Sequence, residues 1–187
     1  MVTRLLMVLA LAGVLALAGC GNKHEVRTVG ETEGIYIDIG ELKYQVQLSR
    51  IINQNEVYDQ VYLKGLPEGT LPPKADEAWF GVWLRVQNTT SEETFETAAD
   101  FEIVDTQENS FEPIDFGFED NVFAYSARPL GPQGILPNSE EPAGQGPVQG
   151  SLLLFKLTND TLQNRPLEFK ITSPTDPADV GIVDLDV

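Results

Sequence analysis

The segment from Phe111 to Pro129 contains the residues best suited to bind a cation or a partner molecule. Carboxylate and amide oxygens, the ligands that calcium prefers, come from Asp115, Glu119, Asp120 and Asn121. Four aromatic residues accompany them, namely Phe116, Phe118, Phe123 and Tyr125. We predict the aromatic residues as partner contacts and the four oxygen-bearing residues as calcium candidates. Their spacing matches no established calcium loop, so a solvated acidic loop is the alternative.

A second candidate site lies in the stretch EAWFGVWLRVQ. Trp79 and Trp83 alternate with the apolar residues of the range 80–86, so they point to the opposite face of the predicted strand. Exposed aromatic side chains beside an arginine are typical of a protein-binding surface. We therefore predict a partner contact at Trp79, Trp83 and Arg85. The alternative is that a loop such as residues 53–77 covers both indoles.

A pair of carboxyl groups, one of them with a raised pKa, is what glycoside hydrolysis requires. Five carboxylates are close together in the sequence: Glu92, Glu93, Glu96, Asp100 and Glu102. Each lies in a polar run without the apolar neighbours that would raise a pKa by burial. The sequence therefore favours surface carboxylates, with a carboxylate-dependent hydrolase as an alternative.

Other chemistry is limited by residue types that the predicted folded region lacks. Cys20 is the single cysteine, His24 is the single histidine, and Met1 and Met7 are the two methionines. Residues 34–187 consequently offer no usual ligand set for zinc, copper or haem. They also offer no imidazole base for Ser-His-Asp or Cys-His catalysis. We predict no cofactor and no catalytic residue.

The N-terminal sequence predicts a lipid anchor. Arg4 precedes an apolar run, and the small residues of Leu17-Ala18-Gly19 precede Cys20, which resembles a bacterial lipobox. We predict residues 1–19 as a lipoprotein signal peptide, Cys20 as the lipidated first residue of the mature chain, and residues 20–33 as a flexible linker. Two or more acyl chains would hold the protein stably at a membrane, on its extracytoplasmic side. An ordinary signal peptide followed by a coincidental cysteine is the alternative.

Charge limits the possible partners. The 187 residues include 12 Lys and Arg against 29 Asp and Glu, which gives a formal net charge of −17. Loss of Arg4 with the signal peptide would make the balance −18, from 11 basic and 29 acidic residues. Such a surface repels nucleic acid and anionic lipid headgroups. We predict no nucleic-acid partner, and a domain held away from the membrane by its linker.

Short stretches of alternating hydrophobicity predict the elements that position these residues. The alternation indicates strands in residues 40–51, 77–90, 150–158 and 165–172, with further short strands at 35–39 and, at a sheet edge, at 180–187. A turn between residues 101–104 and Phe111 indicates a hairpin. Turn-forming residues dominate 53–77 and 115–147, and no run of twelve residues after the signal has helical periodicity. These patterns predict an all-β, antiparallel sandwich over residues 34–187.

The order of these features resembles a known family. A strand ending in RVQNT (residues 85–89), the segment FEIVDTQENSFEP (101–113) and PVQGSLLLFKLTNDTLQNRPLEFKI (147–171) follow one another. This arrangement resembles immunoglobulin-like domains of unknown function in bacterial lipoproteins, related in fold to the immunoprotective extracellular antigen family. The resemblance implies an immunoglobulin-like β-sandwich outside the cytoplasm. It carries no catalytic motif.

Together these observations predict a lipid-anchored, extracytoplasmic binding or accessory protein without catalytic activity. Its partners would be the membrane, through Cys20, and a protein of the cell envelope. A sensor or carrier for a small ligand or calcium is one alternative, and the carboxylate-dependent hydrolase is the other. Gly21 follows the cysteine where an aspartate often signals inner-membrane retention, so the residues leave open which membrane carries the anchor.

Overall fold

The computed structural model describes residues 26–186, which form two stacked β-sheets. The predicted all-β antiparallel sandwich is confirmed. The predicted signal peptide, Cys20 and the first part of the predicted linker lie outside the described residues. Within residues 26–186, no helix is long and apolar enough to span a membrane.

Twelve strands follow one another along this part of the chain. They are β1 (Val29–Gly30), β2 (Tyr36–Ile39), β3 (Leu42–Ile52), β4 (Glu77–Asn88), β5 (Phe95–Glu96), β6 (Asp100–Val104), β7 (Ser110–Phe111), β8 (Pro129–Leu130), β9 (Ile135–Leu136), β10 (Ser151–Thr158), β11 (Leu167–Thr172) and β12 (Val180–Leu185). Three 3₁₀ turns lie between them, at Gln60–Leu63, Pro142–Gly144 and Thr161–Gln163.

The long strands divide between two sheets. One sheet has the order β10-β4-β3-β2, and β9 also pairs with β4. The other has the order β1-β12-β11-β6-β7, and β5 pairs separately with β8. Neighbouring strands are antiparallel except for β1 and β12, which are parallel. The predicted hairpin is β6–β7, in which Ile103 pairs with Phe111.

The main hydrophobic core lies between the two sheets. Alternate residues of β4 face it, and Phe80, Val82 and Leu84 are all fully buried. Phe169 on β11 stacks on Phe101 of β6 with ring centroids 5.8 Å apart. Burying these apolar side chains is the main force holding the sheets together, at about 25 cal/mol for each Å² of apolar surface removed from water.

A β-bulge in β3 corrects one detail of the predicted pattern. Val46 pairs with Leu84 and Leu48 pairs with Trp83, so Gln47 is the extra residue between them. An inserted residue reverses the alternation of the side chains that follow it. Leu48 therefore lies on the face opposite Val46, although simple alternation predicts the same face for both.

The two ends of the described chain pair with each other, which corrects two predictions. Val29–Gly30, inside the predicted linker, forms β1 and pairs with Ile182 and Val183 of β12. The predicted edge strand β12 is therefore an interior strand, between β1 and β11. A two-residue strand in a polar stretch shows no alternation, which explains why the pattern does not reveal it.

Candidate functional site

Both tryptophans are buried, so the predicted exposed aromatic contact at these positions is wrong. Trp79 and Trp83 are each 3% exposed, on the face of β4 that points away from the main core. Residues 53–76, here called the cover segment, pack over this face through Tyr62, Leu63 and Leu66. The alternative interpretation, a loop covering the indoles, is the correct one.

Two cations fix the cover segment over the indoles. Arg50 lies 5.1 Å from the centroid of the Trp83 ring and donates two hydrogen bonds to the carboxylate of Asp59, at 2.6 and 2.9 Å. The hydrogen bonds from Arg50 hold the pKa of Asp59 below its usual value. On the other side, Lys156 lies 5.1 Å from the Trp79 ring and donates to the carbonyl oxygen of Leu71. These tryptophans therefore belong to a second, smaller core.

One of the predicted calcium candidates, Asn121, is occupied by hydrogen bonds within the protein. The amide of Asn121 donates to the carbonyl oxygens of Val61 and Lys64 at 2.9 and 3.0 Å, and its oxygen accepts from the Phe123 amide. Asn121 therefore fastens the cover segment instead of facing a cation. Across the part of the chain that the structure describes, no group of three or more His, Cys, Asp or Glu side chains could hold a metal ion.

A groove forms where residues 112–117 and 123–127 run beside the edge of β10. The Ile114 amide donates to the carbonyl oxygen of Leu154 at 2.6 Å, and the Tyr125 amide donates to that of Leu152 at 2.8 Å. Both segments are thereby held against the same strand. The space between them and the start of β6 measures about 520 Å³, which is within the usual size of a ligand site.

The floor of the groove is aromatic and apolar. Phe101, Phe116, Tyr125 and Leu153 line it, and each of them is at least nine-tenths buried. The rings of Phe101 and Tyr125 meet edge to face, with centroids 5.1 Å apart. The pKa of Tyr125 is raised mainly by burial and also by the nearby Tyr44. The Tyr125 hydroxyl donates to the carbonyl oxygen of Ala98 at 2.7 Å. The Tyr125 hydroxyl is therefore a structural group.

The rim of the groove is negatively charged. Asp100, Glu112 and Asp115 line it, and no Lys, Arg or His is among the lining residues. All three acidic residues are exposed. Among the described residues, none of the three carboxylates accepts a hydrogen bond or forms an ion pair. A cleft lined by one sign of charge concentrates ions of the opposite sign, so this groove attracts cations.

The structure brings some predicted site residues together and separates others. Phe116 and Tyr125 lie in the groove with Asp115. Phe123 instead packs edge to face on Tyr62 of the cover segment, at 5.3 Å between centroids, and the amide of Phe118 donates to Ser126. Arg85 lines a different pocket, described below.

The groove also contains residues that the sequence indicates only in part. Asp100 is among the predicted hydrolase carboxylates, while Glu112 is not among the candidates. Of the other predicted carboxylates, Glu92, Glu93 and Glu96 are exposed. Glu102 accepts a hydrogen bond from Ser110 and lies 3.9 Å from Lys170. Glu112 is in a polar position directly after β7, where sequence alone gives no sign of a cavity.

Solved structures with a similar arrangement come from Bacillus and Clostridium. The yjhA protein of Bacillus subtilis is 12% identical, with a TM-score of 0.48, and the match covers 83% of this chain and 99% of that one. The ycdA protein of the same organism, described as a candidate lipoprotein, is 13% identical with a TM-score of 0.44, over 83% of this chain and 39% of the other. An uncharacterised β-sandwich protein of Clostridium difficile is 9% identical with a TM-score of 0.40, over 88% and 99%.

No protein-family model matches the chain, and neither does any curated protein. The resemblance to the immunoprotective extracellular antigen family therefore stays a prediction. At such low identity and TM-score, no residue role passes from the solved structures to this chain. One of these neighbours is described as an uncharacterised β-sandwich protein, and the two sheets of residues 26–186 establish the sandwich on their own.

Proposed function

We propose that this chain is a lipid-anchored, extracytoplasmic binding protein without catalytic activity, and that the acidic groove is its binding site. One observation carries the proposal: three carboxylates without partners in the described chain surround a buried aromatic floor, and no cation lines the groove. A surface that only keeps a protein soluble needs acidic residues but not an aromatic cleft between them.

The groove's chemistry favours an organic cation with an apolar body over a metal ion. Aromatic rings and aliphatic side chains contact apolar groups, and the rim carboxylates attract a positive charge. Asp100, Glu112 and Asp115 do not form a group that could hold a metal ion. We propose that the occupant is a lysine- or arginine-bearing segment of a cell-envelope protein, because such side chains combine an aliphatic stem with a cationic end.

The non-catalytic part of the proposal is supported by the position of one unusual carboxyl group. Burial raises the pKa of Glu33, as a general acid requires. However, its carboxylate accepts hydrogen bonds from the amide and hydroxyl of Ser49 and from the Asp186 amide, and Glu33 does not line the groove. Glu33 therefore fastens the N-terminal segment to β3 and to the end of the chain.

The anchor is tested by Cys20→Ser. Without the thiol no diacylglyceryl group can be attached, so we expect the protein to move from the membrane fraction to the soluble fraction of a bacterial host that processes lipoproteins. Metabolic labelling with an alkyne fatty acid should mark the native protein and not the variant. Serine is chosen because it is close to cysteine in size and lacks only the thiol that would carry the lipid. A variant that takes up the fatty-acid label as strongly as the native protein would contradict the proposed lipidation at Cys20.

The groove is tested by photocrosslinking in intact cells. A benzoylphenylalanine at position 127, which is exposed and lines the groove, should give one dominant adduct whose crosslinked peptide is rich in Lys or Arg. The Asp100→Asn, Glu112→Gln, Asp115→Asn triple variant should reduce this adduct at least about tenfold. Benzoylphenylalanine at position 175, an exposed site outside the groove, should not give it.

A matched charge control separates the groove from the general acidity of the protein. Glu56→Gln, Glu68→Gln and Glu92→Gln together remove the same three charges from exposed positions outside the groove. We expect this control to keep the adduct. An equal loss of adduct in both triple variants, or an adduct formed equally from position 175, would overturn the proposed site.

A further inference from the structure

Arg85 lies at a gap in the sheet. On one side of β4, β10 pairs up to Leu84, and β9 takes over at Val86. Arg85 is therefore the one residue between the two pairings, where β9 and β10 leave space beside β4. A pocket of about 230 Å³ opens at this gap, with Arg85 and Gln149 among its lining residues.

The guanidinium of Arg85 has few partners in the described chain. Its Nη1 donates to Oε1 of Gln149 at 2.6 Å, and its Nε is buried with no hydrogen-bond partner. Its Nη2 forms no hydrogen bond within residues 26–186, and no carboxylate there lies within 4.0 Å of the group. Buried N–H groups are nearly always paired in folded proteins, so an orphaned one requires an explanation.

Five other cations of the described residues are paired with a carboxylate, namely Lys43, Arg50, Lys74, Arg128 and Lys170. In a chain with 29 acidic and 12 basic residues, a half-buried arginine without a carboxylate is unusual. No Asp or Glu lines the Arg85 pocket, and the nearby Glu141 already binds Arg128.

Several side chains around Arg85 have hydrogen-bond donors without a partner in the described chain. The oxygen of the Asn138 side chain accepts from the amides of Glu140 and Glu141, which leaves its NH₂ group available. Oε1 of Gln149 accepts from Arg85, which leaves that NH₂ group available as well. Ser139, whose side chain is a hydroxyl, is also among the residues that line this pocket. A positive charge with several donors and no carboxylate is the arrangement that binds oxyanions.

We propose that the Arg85 pocket binds the carboxylate or phosphate group of a small ligand. Such an anion would neutralise Arg85 and accept hydrogen bonds from its free Nη2 and from the neighbouring amide and hydroxyl groups. The pocket shares no lining residue with the acidic groove, so the two proposals stand or fall separately.

Sodium acetate and sodium phosphate test the proposal by NMR, each against sodium chloride at the same ionic strength. The sample is the secreted chain with Cys20→Ser, and the Nε–H signal of Arg85 is assigned by its loss in Arg85→Lys. We expect a saturable shift of this signal and of the amides of residues 138 and 139, with acetate or with phosphate. The effective salt identifies the anionic group.

Three variants test whether the anion binds in the Arg85 pocket. Arg85→Gln should weaken binding about tenfold or more, because it removes the charge. Arg27→Gln, which removes an exposed charge outside the pocket, should leave it unchanged. Ser139→Ala, at an exposed position, should weaken binding about twofold to fivefold even if Arg85→Gln does not fold. The proposal would be overturned if the NMR shifts rose linearly with salt concentration or were the same with chloride. Shifts that persisted unchanged in Ser139→Ala would overturn it as well.

Discussion

Replacing Trp83 with alanine is expected to lower the free energy of unfolding by about 3–5 kcal/mol. The indole is 3% exposed and packs against Tyr62 at 5.2 Å between ring centroids, with Arg50 on it as well. Its removal leaves a cavity under the cover segment and deprives Arg50 of one of its two aromatic contacts, the other being Tyr62. Urea denaturation measures the loss, and limited proteolysis should cut the cover segment faster than in the native protein.

Tyr58→Ala is the matched control for Trp83→Ala. Tyr58 is an aromatic residue of the same cover segment but is 87% exposed, so its removal should change stability by less than about 0.5 kcal/mol. Intrinsic fluorescence gives a second reading, because the chain has two tryptophans and both are buried. We expect blue-shifted emission that iodide barely quenches. Strong iodide quenching, with Trp83→Ala as stable as the native protein, would mean that the indoles are exposed.

Asn88→Ala is expected to cost about 3 kcal/mol, because it removes a buried side chain that joins two segments of the chain, residues 90–93 and 130–131. Asn88 is 2% exposed, and its NH₂ group donates to the carbonyl oxygens of Glu93, Leu130 and Gly131 at 2.8–3.0 Å. Its oxygen accepts from the amide and hydroxyl of Thr90. Alanine would remove all five of these hydrogen bonds and leave a gap where the buried amide stood.

Two further substitutions sharpen the test of Asn88. Asn88→Asp keeps the shape of the side chain but points a carboxylate oxygen at carbonyl oxygens, so we expect it to be at least as destabilising as alanine. Thr89→Ala, at the exposed neighbouring position, should shift the thermal midpoint very little. If all three variants unfolded at the native midpoint, Asn88 would have no structural role.

The strands could be predicted because the sequence pattern and the burial have the same period. In β11, Leu167, Phe169 and Ile171 are all fully buried and the residues between them are not. Asn88 also follows from the sequence as the end of a central strand, but its five hydrogen-bond partners do not. Those partners come from residues 90–93 and 130–131, two segments that only the folded chain brings together.

The wrong predictions have one physical cause, contacts between residues distant in sequence. Trp79 and Trp83 have the spacing of an exposed face, yet residues 53–76 fold back over them. This segment contains Tyr62, Leu63 and Leu66 within a stretch dominated by turn-forming residues, so it has no strand pattern. The β1 strand likewise depends on β12, about 150 residues later.

The sequence predicts which residue types line part of the groove, but not that they form a groove. Phe116, Tyr125 and Asp115 are identifiable from the sequence as an acidic, aromatic loop. Phe101 and Asp100 reach the same cavity from β6, because β6 and residues 112–127 meet at the edge of the sandwich. The sequence therefore predicts the chemistry of the loop, while the shape of the cavity depends on tertiary packing.

The most direct test of the proposed function is an NMR titration of the secreted Cys20→Ser chain with hexylammonium, hexanol and hexanoate. These probes share an alkyl body and differ in charge. We predict saturable shifts at residues 99–101, 112–117 and 125–127 with hexylammonium alone, weakened at least about tenfold in the Asp100→Asn, Glu112→Gln, Asp115→Asn variant. Equal shifts with all three probes, or with native and variant protein, would contradict a groove that selects cations.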